Sequence, residues 1–335
     1  MQINTHNIQK IMKTICYFGH DWAGNIGNAF IDYSIKYCIR KALNDPQYPI
    51  VEASNLPAYL KYNFAERKPF NWINPPQAAN FDLRTMMKPD VVVMGAALLD
   101  VYWSKIHAGL LDWLRTTQTK VIILGGGGGN DYSVEEIKYV KNAWHGIDVI
   151  AYIARDEKAY DNFKDLSENR YLGIDNAFFL ADCFTPAQLN LNGKKLGIKT
   201  FDLTMDRKID FPDNFLVVSL RHRLMDVDSL KGAIKHGLRT YSIVGKTDLI
   251  SDFPDDYLHL YGNASQTHSD RVHACVATLS FGGAARYYDK SDRSWLFERV
   301  KCGAIREELT TLDQHYIKEE KNKQINYLRS ILENI

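Results

Sequence analysis

The sequence predicts an α/β fold: two Rossmann-like domains facing each other across a cleft, with a C-terminal helix expected to cross back over the first. Three observations carry this expectation. Continuous apolar runs at 14–18, 89–95, 120–124, 148–153 and 215–220 read as strands buried on both faces, the pattern of a parallel sheet. Amphipathic stretches between them supply crossover helices and give the β/α alternation of doubly wound sheets. The 335 residues exceed what one ordinary core organises, so two domains are expected. They are placed at 1–182 and 213–305, joined by an interdomain region at 183–212 and followed by a C-terminal helix at 306–335.

Each element has a local reason. After the first strand, Gly19, Gly24 and Gly27 punctuate a polar loop, and Ala29, Phe30, Tyr33, Ile35, Tyr37 and Ile39 give the next helix its apolar positions. The glycine spacing matches neither the dinucleotide fingerprint nor a P-loop. It permits close approach of backbone to a ligand at a strand's carboxyl end; a tight turn is the competing reading. Residues 53–87, rich in Asn, Pro and aromatics, read as an irregular excursion over the cleft. A helix at 106–114 leads to the strand that opens into five glycines, Gly125 and Gly126 first among them. So many glycines suggest backbone pressed against a ligand or the first loop. Helix 134–144 and strand 148–153 end in Ala154-Arg155-Asp156-Glu157, and 173–180 reads as a closing strand or turn. In the second domain, strand 215–220 ends at Arg221-His222-Arg223. A helix is expected at 229–237, strands at 240–244, 257–261 and 284–288, and a charged amphipathic helix at 311–335.

The totals exclude several classes. A net charge of +1 removes the electrostatic case for sequence-independent nucleic-acid binding. The five cysteines (Cys16, Cys38, Cys183, Cys275 and Cys302) are odd in number and show no CxxC or Cys/His ligand spacing. Small buried side chains in a reducing compartment are expected, with no metal and no cofactor. Residues 1–13 lack the apolar centre of a signal peptide, and no run reaches transmembrane length. A cytoplasmic protein is expected, with peripheral membrane association left open.

Most of the chemistry lies in 267–290. Ser269 or Asp270 is a good N-cap, Val272, Val276 and Leu279 form one apolar face, and Gly282-Gly283 stops the helix. Arg271 and His273 then flank free backbone N–H groups, a setting for phosphate or carboxylate. The competing reading is a surface helix with a salt-bridged arginine. Asn25, Arg155, Arg221 and Lys290 also fall at strand ends, and this excess of cations suits a small, multiply charged anion. No G-x-S-x-G elbow or H-E-x-x-H motif occurs.

These motifs, in their order, resemble the polysaccharide pyruvyl transferase family. Ser269-Asp270-Arg271-Val272-His273-Ala274, Gly282-Gly283 and Tyr288-Asp289-Lys290 look like its C-terminal signature, with D-R-x-H the most specific piece. Gly24-Asn25-Ile26-Gly27-Asn28 is similar to its N-x-G motif. Pro89-Asp90, the glycine run, Arg155-Asp156 and Gly173-Ile174-Asp175-Asn176-Ala177 follow in the family's order, so the resemblance spans about 15–300. It implies a GT-B-like fold and transfer of a pyruvyl group from phosphoenolpyruvate, as co-substrate, to two hydroxyls of a polysaccharide or precursor sugar, forming a ketal. It implies that Arg155, Arg271 and His273 bind the donor or act on it, with Lys290 and Arg221 as further donor contacts. Asn25, Gly27, Gly125 and Gly126 fall to the acceptor side or its loops, and a lipid-linked acceptor would account for membrane contact. Three departures touch the acceptor side: Gly95-Ala96-Ala97 replaces a glycine-rich tip, Ala159 lies where serine is customary, and the run from Gly125 is unusually pure in glycine. Two other readings stay open, a GT-B glycosyltransferase using a nucleotide sugar and a non-catalytic binding protein of the same fold.

Overall fold

The computed structural model describes residues 13–19, 22, 25–54, 86–128, 132–202, 208–222, 248–249 and 251–335. The first half contains β1 (Ile15–Gly19), α1 (Gly27–Ala42), β2 (Ile50–Ser54), β3 (Val91–Ala96), α2 (Val101–Ile106) and α3 (Ala108–Thr117). It continues with β4 (Lys120–Gly126), α4 (Val134–Trp144), β5 (Val149–Ala154), α5 (Glu157–Phe163) and β6 (Arg170–Leu172). A 3-10 turn (Asn176–Phe179) and α6 (Leu180–Cys183) close it. The second half runs through β7 (Lys195–Thr200), β8 (Phe215–Leu220), β9 (Asp248–Leu249), α7 (Pro254–Asn263), β10 (Ala264–Ser269), α8 (Val272–Ser280) and β11 (Ala284–Tyr287). Two C-terminal helices follow, α9 (Trp295–Arg299) and α10 (Gln314–Glu333).

All paired strands are parallel, in the orders β2-β1-β3-β4-β5-β6 and β11-β10-β7-β8-β9. Every residue of β1 and nearly every one of β3 and β4 is buried, which is why these strands read as unbroken apolar runs. Strand order reverses between β1 and β3, and again between β7 and β10. Open parallel sheets bind ligands outside the carboxyl ends of their strands at such switch points. One apolar core joins the halves: Phe30 of α1, Phe178 and Phe179 of the 3-10 turn, Leu220, Tyr261, Val276 and Leu279 belong to a single buried cluster. A second cluster covers the other face of the first sheet, built from Phe18, Val92, Leu111, Leu114 and Trp144 among others. Helix α10 does cross back, and Arg329 Nε donates to the Ala42 carbonyl at the end of α1, 3.1 Å away.

Several elements differ from expectation for identifiable reasons. The segment expected to link the domains contains β7, the central strand of the second sheet. Its alternation of Lys195 and Lys199 with Leu196 and Ile198 hid a strand only partly apolar in composition. The strand expected at 257–261 is instead part of α7. Pro254 opens that helix, Asp255 and Asp256 occupy its first turn, and Tyr257, Leu258 and Tyr261 form its buried face. Residues 173–180 form the 3-10 turn and the start of α6, and β2 is an added strand. The N-cap of α8 is Arg271, without a side-chain cap bond, because Ser269 and Asp270 are engaged elsewhere. Most of the 53–87 excursion, the 229–237 helix and the 240–244 strand lie outside the described residues. All five cysteines are free, and four are buried.

Candidate active site

The carboxyl ends of both sheets converge on one cavity of about 50 Å³. Asn25 follows β1, Ala96 ends β3, Arg155 follows β5, His222 follows β8, Asp270, Arg271 and His273 follow β10, and Arg293 follows β11. The backbone joins the halves here, since the Ile26 N–H donates to the His222 carbonyl at 3.0 Å. Gly27 lets α1 approach α8: a Cβ at this position would lie 2.9 Å from the Cβ of His273.

Asp175 organises the first-sheet side. Its Oδ1 accepts the Ala177 N–H at 2.9 Å, capping the 3-10 turn. Its Oδ2 accepts from Arg155 Nη1 at 3.1 Å and lies 3.6 Å from His273 Nε2, so one carboxylate bridges guanidinium and imidazole. Arg155 Nη2 donates to the Gly128 carbonyl at 3.0 Å, and Gly127 makes room, as a Cβ there would lie 2.5 Å from Arg155 Nε. Asp202, after β7, does the same for the second sheet. Its Oδ2 accepts from Arg271 Nε and from the His222 N–H, each at 2.9 Å. Asp270 fixes that loop through the Asp202 N–H at 3.0 Å, and Ser269 Oγ accepts the Arg271 N–H at 2.8 Å.

Burial and charge set the protonation states. Burial works to raise the Asp175 carboxyl, but His273, Arg155 and the Ala177 N–H outweigh it and hold its pKa at about 2. Burial dominates at Asp202 and Asp156, raising both above the usual carboxylate range despite Arg271 and Arg155. Burial, assisted by Arg271 and His273, lowers His222 well below 6.5, so this ring is neutral and shares a 2.7 Å hydrogen bond with the Tyr261 hydroxyl. Desolvation and the neighbouring Arg155 and Arg271 lower the pKa of Arg293. Arg155 Nε, Arg271 Nη2, His222 Nδ1 and His273 Nε2 are buried without a hydrogen-bond partner in the protein. Buried guanidinium N–H groups without an acceptor are costly unless a ligand supplies one. Among the described residues, no group of three or more His, Cys, Asp or Glu is placed to hold a metal ion.

Of the residues singled out in the sequence, Arg155, Arg271, His273 and Asn25 line this cavity together, and Gly27 abuts it. Lys290 does not join them; it is exposed, and its N–H is turned to Asp289 Oδ1. Nor does Arg221, whose guanidinium reaches the Phe201 carbonyl while its neighbour His222 faces the cavity. The described glycines of the run are packed by protein side chains. Gly125, at φ 73°, is packed against Asn176, Gly126 against Ile123, and Gly128 against Tyr132. Asp175, Asp202 and Arg293 were missed, although each follows a strand, which is the signal that finds them.

The sequence pattern described as polysaccharide pyruvyl transferase matches residues 25–288. The chain belongs to that family. It is therefore a transferase, and a sugar acceptor is its partner. No curated protein matches the transferase at a significant level. Among solved structures it resembles an S. aureus MnaA–UDP complex, with 12% identity, TM-score 0.54, and 95% of this chain and 91% of that one covered. It also resembles a Listeria monocytogenes protein assigned as a UDP-N-acetylglucosamine 2-epimerase, with 12% identity, TM-score 0.52, and coverage of 95% and 90%. At such identities the likeness shows the fold alone: the transferase has a GT-B-like pair of Rossmann-like halves. No described helix is long and apolar enough to cross a membrane.

Proposed function

We propose that the enzyme transfers the pyruvyl group of phosphoenolpyruvate to two hydroxyls of a sugar, forming a ketal and releasing phosphate. The observation that carries this reading is the pair of buried arginines, Arg155 and Arg271. They face one cavity from opposite sheets beside His273, Arg271 with an unpartnered Nη2 and Arg155 with its Nε free of hydrogen bonds and 3.8 Å from Asp156 Oδ2. A small ligand bearing both carboxylate and phosphate matches two separate guanidiniums.

The chemistry balances with one proton-carrying group. Protonated His273 gives its proton to the terminal CH2 of the enol, which becomes the methyl group. The first sugar hydroxyl bonds to the neighbouring carbon and returns a proton to His273. The second hydroxyl bonds to the same carbon as its C–O bond to phosphate breaks, and that hydroxyl's proton leaves with the phosphate. Arg155 and Arg271 hold the donor's negative charge throughout and stabilise the departing phosphate.

The test is phosphate release from phosphoenolpyruvate with a panel of hexosyl acceptors. Acceptor-dependent release is expected, together with its loss in Arg271→Ala and His273→Ala. Absence of donor binding and of turnover across the panel would sink the reading.

A further inference from the structure

Asp175 is 1% exposed, and its two oxygens have separate tasks. Oδ1 is committed to the turn through the Ala177 N–H, which leaves Oδ2 aimed between Arg155 and His273. The segment around it is held from outside the site as well. The Ile174 N–H donates to Gln324 Oε1 of α10 at 2.7 Å, and Gln324 Nε2 donates to Asn176 Oδ1 at 3.0 Å. Asn176 Nδ2 in turn reaches the Leu124 carbonyl at 2.8 Å. A carboxylate this firmly seated is an anchor for whatever faces it. His273 is also approached by Arg155, Arg271 and His222, all of which line the same cavity.

We propose that Asp175 is the positioning residue for His273, holding the proton on Nε2 so that Nδ1 is the nitrogen presented to the ligand. The inference rests on His273 being the proton carrier proposed above. An imidazole has two nitrogens, and a carboxylate beside one of them selects the tautomer with the proton there. Nε2 lies 3.6 Å from Asp175 Oδ2, an ion-pair distance, and is buried with no hydrogen bond in the protein, which leaves Nδ1 for the substrate. In the reaction, Nδ1–H gives its proton to the enol CH2 and later regains one from the sugar hydroxyl. Asp175 keeps its charge and takes no proton, consistent with the strong acidity imposed by its neighbours.

The experiment has two arms on the full chain. In the first, nitrogen NMR of labelled histidine, with His273 assigned by its loss in His273→Gln, reads the tautomer of the neutral ring. The Nε2–H form is expected in the wild type, and the Nδ1–H form overturns the proposal. In the second, Asp175→Asn is compared with wild type in turnover and in phosphoenolpyruvate affinity by calorimetry. A fall in kcat of about 100-fold, the scale of a lost proton-transfer contribution, is expected. Donor affinity should be unchanged or tighter, because the variant removes a negative charge beside Arg155. Parallel loss of kcat and affinity would mark a merely structural residue and overturn the proposal. If wild-type enzyme turns over no phosphoenolpyruvate, the functional reading fails separately and the tautomer still decides the role of Asp175. The wild-type spectrum likewise decides it should Asp175→Asn fail to fold.

Discussion

Single residues at the cavity carry opposing demands. Ala96 adopts φ 76° at the carboxyl tip of β3, a left-handed conformation that a side chain disfavours. Ala96→Gly should therefore stabilise the protein by about 1 kcal/mol, read as a raised denaturant midpoint. Arg271 uses its planar fork, because Nε serves Asp202 while Nη2 has no hydrogen-bond partner in the protein. Arg271→Lys keeps the charge but not the fork. It should lower kcat/KM by roughly 10–100-fold, the worth of one charged hydrogen bond, and full activity would contradict a donor-anchoring role. His222 gives stability a pH dependence of known sign. Its folded pKa lies well below 6.5, so the unfolded chain binds the extra proton and stability falls as pH drops below about 6.5. Unfolding free energies measured across that range should fall less steeply in His222→Asn than in wild type.

At the scale of elements, two contacts decide whether the site keeps its shape. Gly27→Ala would push the start of α1 against the Cβ of His273, which is backbone-close and cannot swing aside. Assays should show activity falling further than thermal stability, because the helices have only to separate by a few tenths of an ångström. Gln324→Leu would take away the partners of the Ile174 N–H and of Asn176 Oδ1 in a buried setting, while Asn176 Nδ2 keeps the Leu124 carbonyl. A loss of about 1–3 kcal/mol is expected in chemical denaturation, and an unchanged midpoint would show that α10 is not a strut. Elements with a regular local pattern were legible in the sequence: α4 runs from 134 to 144 and β8 from 215 to 220, as their patterns predict, although β8 is not buried on both faces as expected, Leu220 being its one buried residue. Elements shaped by their neighbours were not. Helix α7 offers Tyr, Leu, His, Leu and Tyr in succession, an apolar run too short for its period to distinguish helix from strand. The D-R-x-H stretch was legible as chemistry, whereas the partners of Asp175 and Asp202 lie 20 and 69 residues away, so their places after strands mark them as candidates but not their contacts.

The whole molecule brings two parallel sheets together with their carboxyl ends facing, and both contribute a buried arginine. A ligand gripped by both halves should stabilise them jointly. Phosphoenolpyruvate at 100 times its Kd should raise the unfolding free energy by about 2.7 kcal/mol, detected as a shift in Tm. Arg155→Ala and Arg271→Ala should each abolish most of that shift, and an unaltered shift in both would place the donor elsewhere. The shared core through α1 and α8 makes the halves one cooperative body around the cavity. The hydrogen bonds from Gln324 to Ile174 and Asn176 also have a consequence for synthesis. The chain is made from its N-terminus, so the carboxylate at 175 is translated some 150 residues before the glutamine that braces its segment. Through most of translation the first sheet can form while its cavity-facing edge stays unbraced, and a nascent chain stalled before α10 should be folded in large part yet inert.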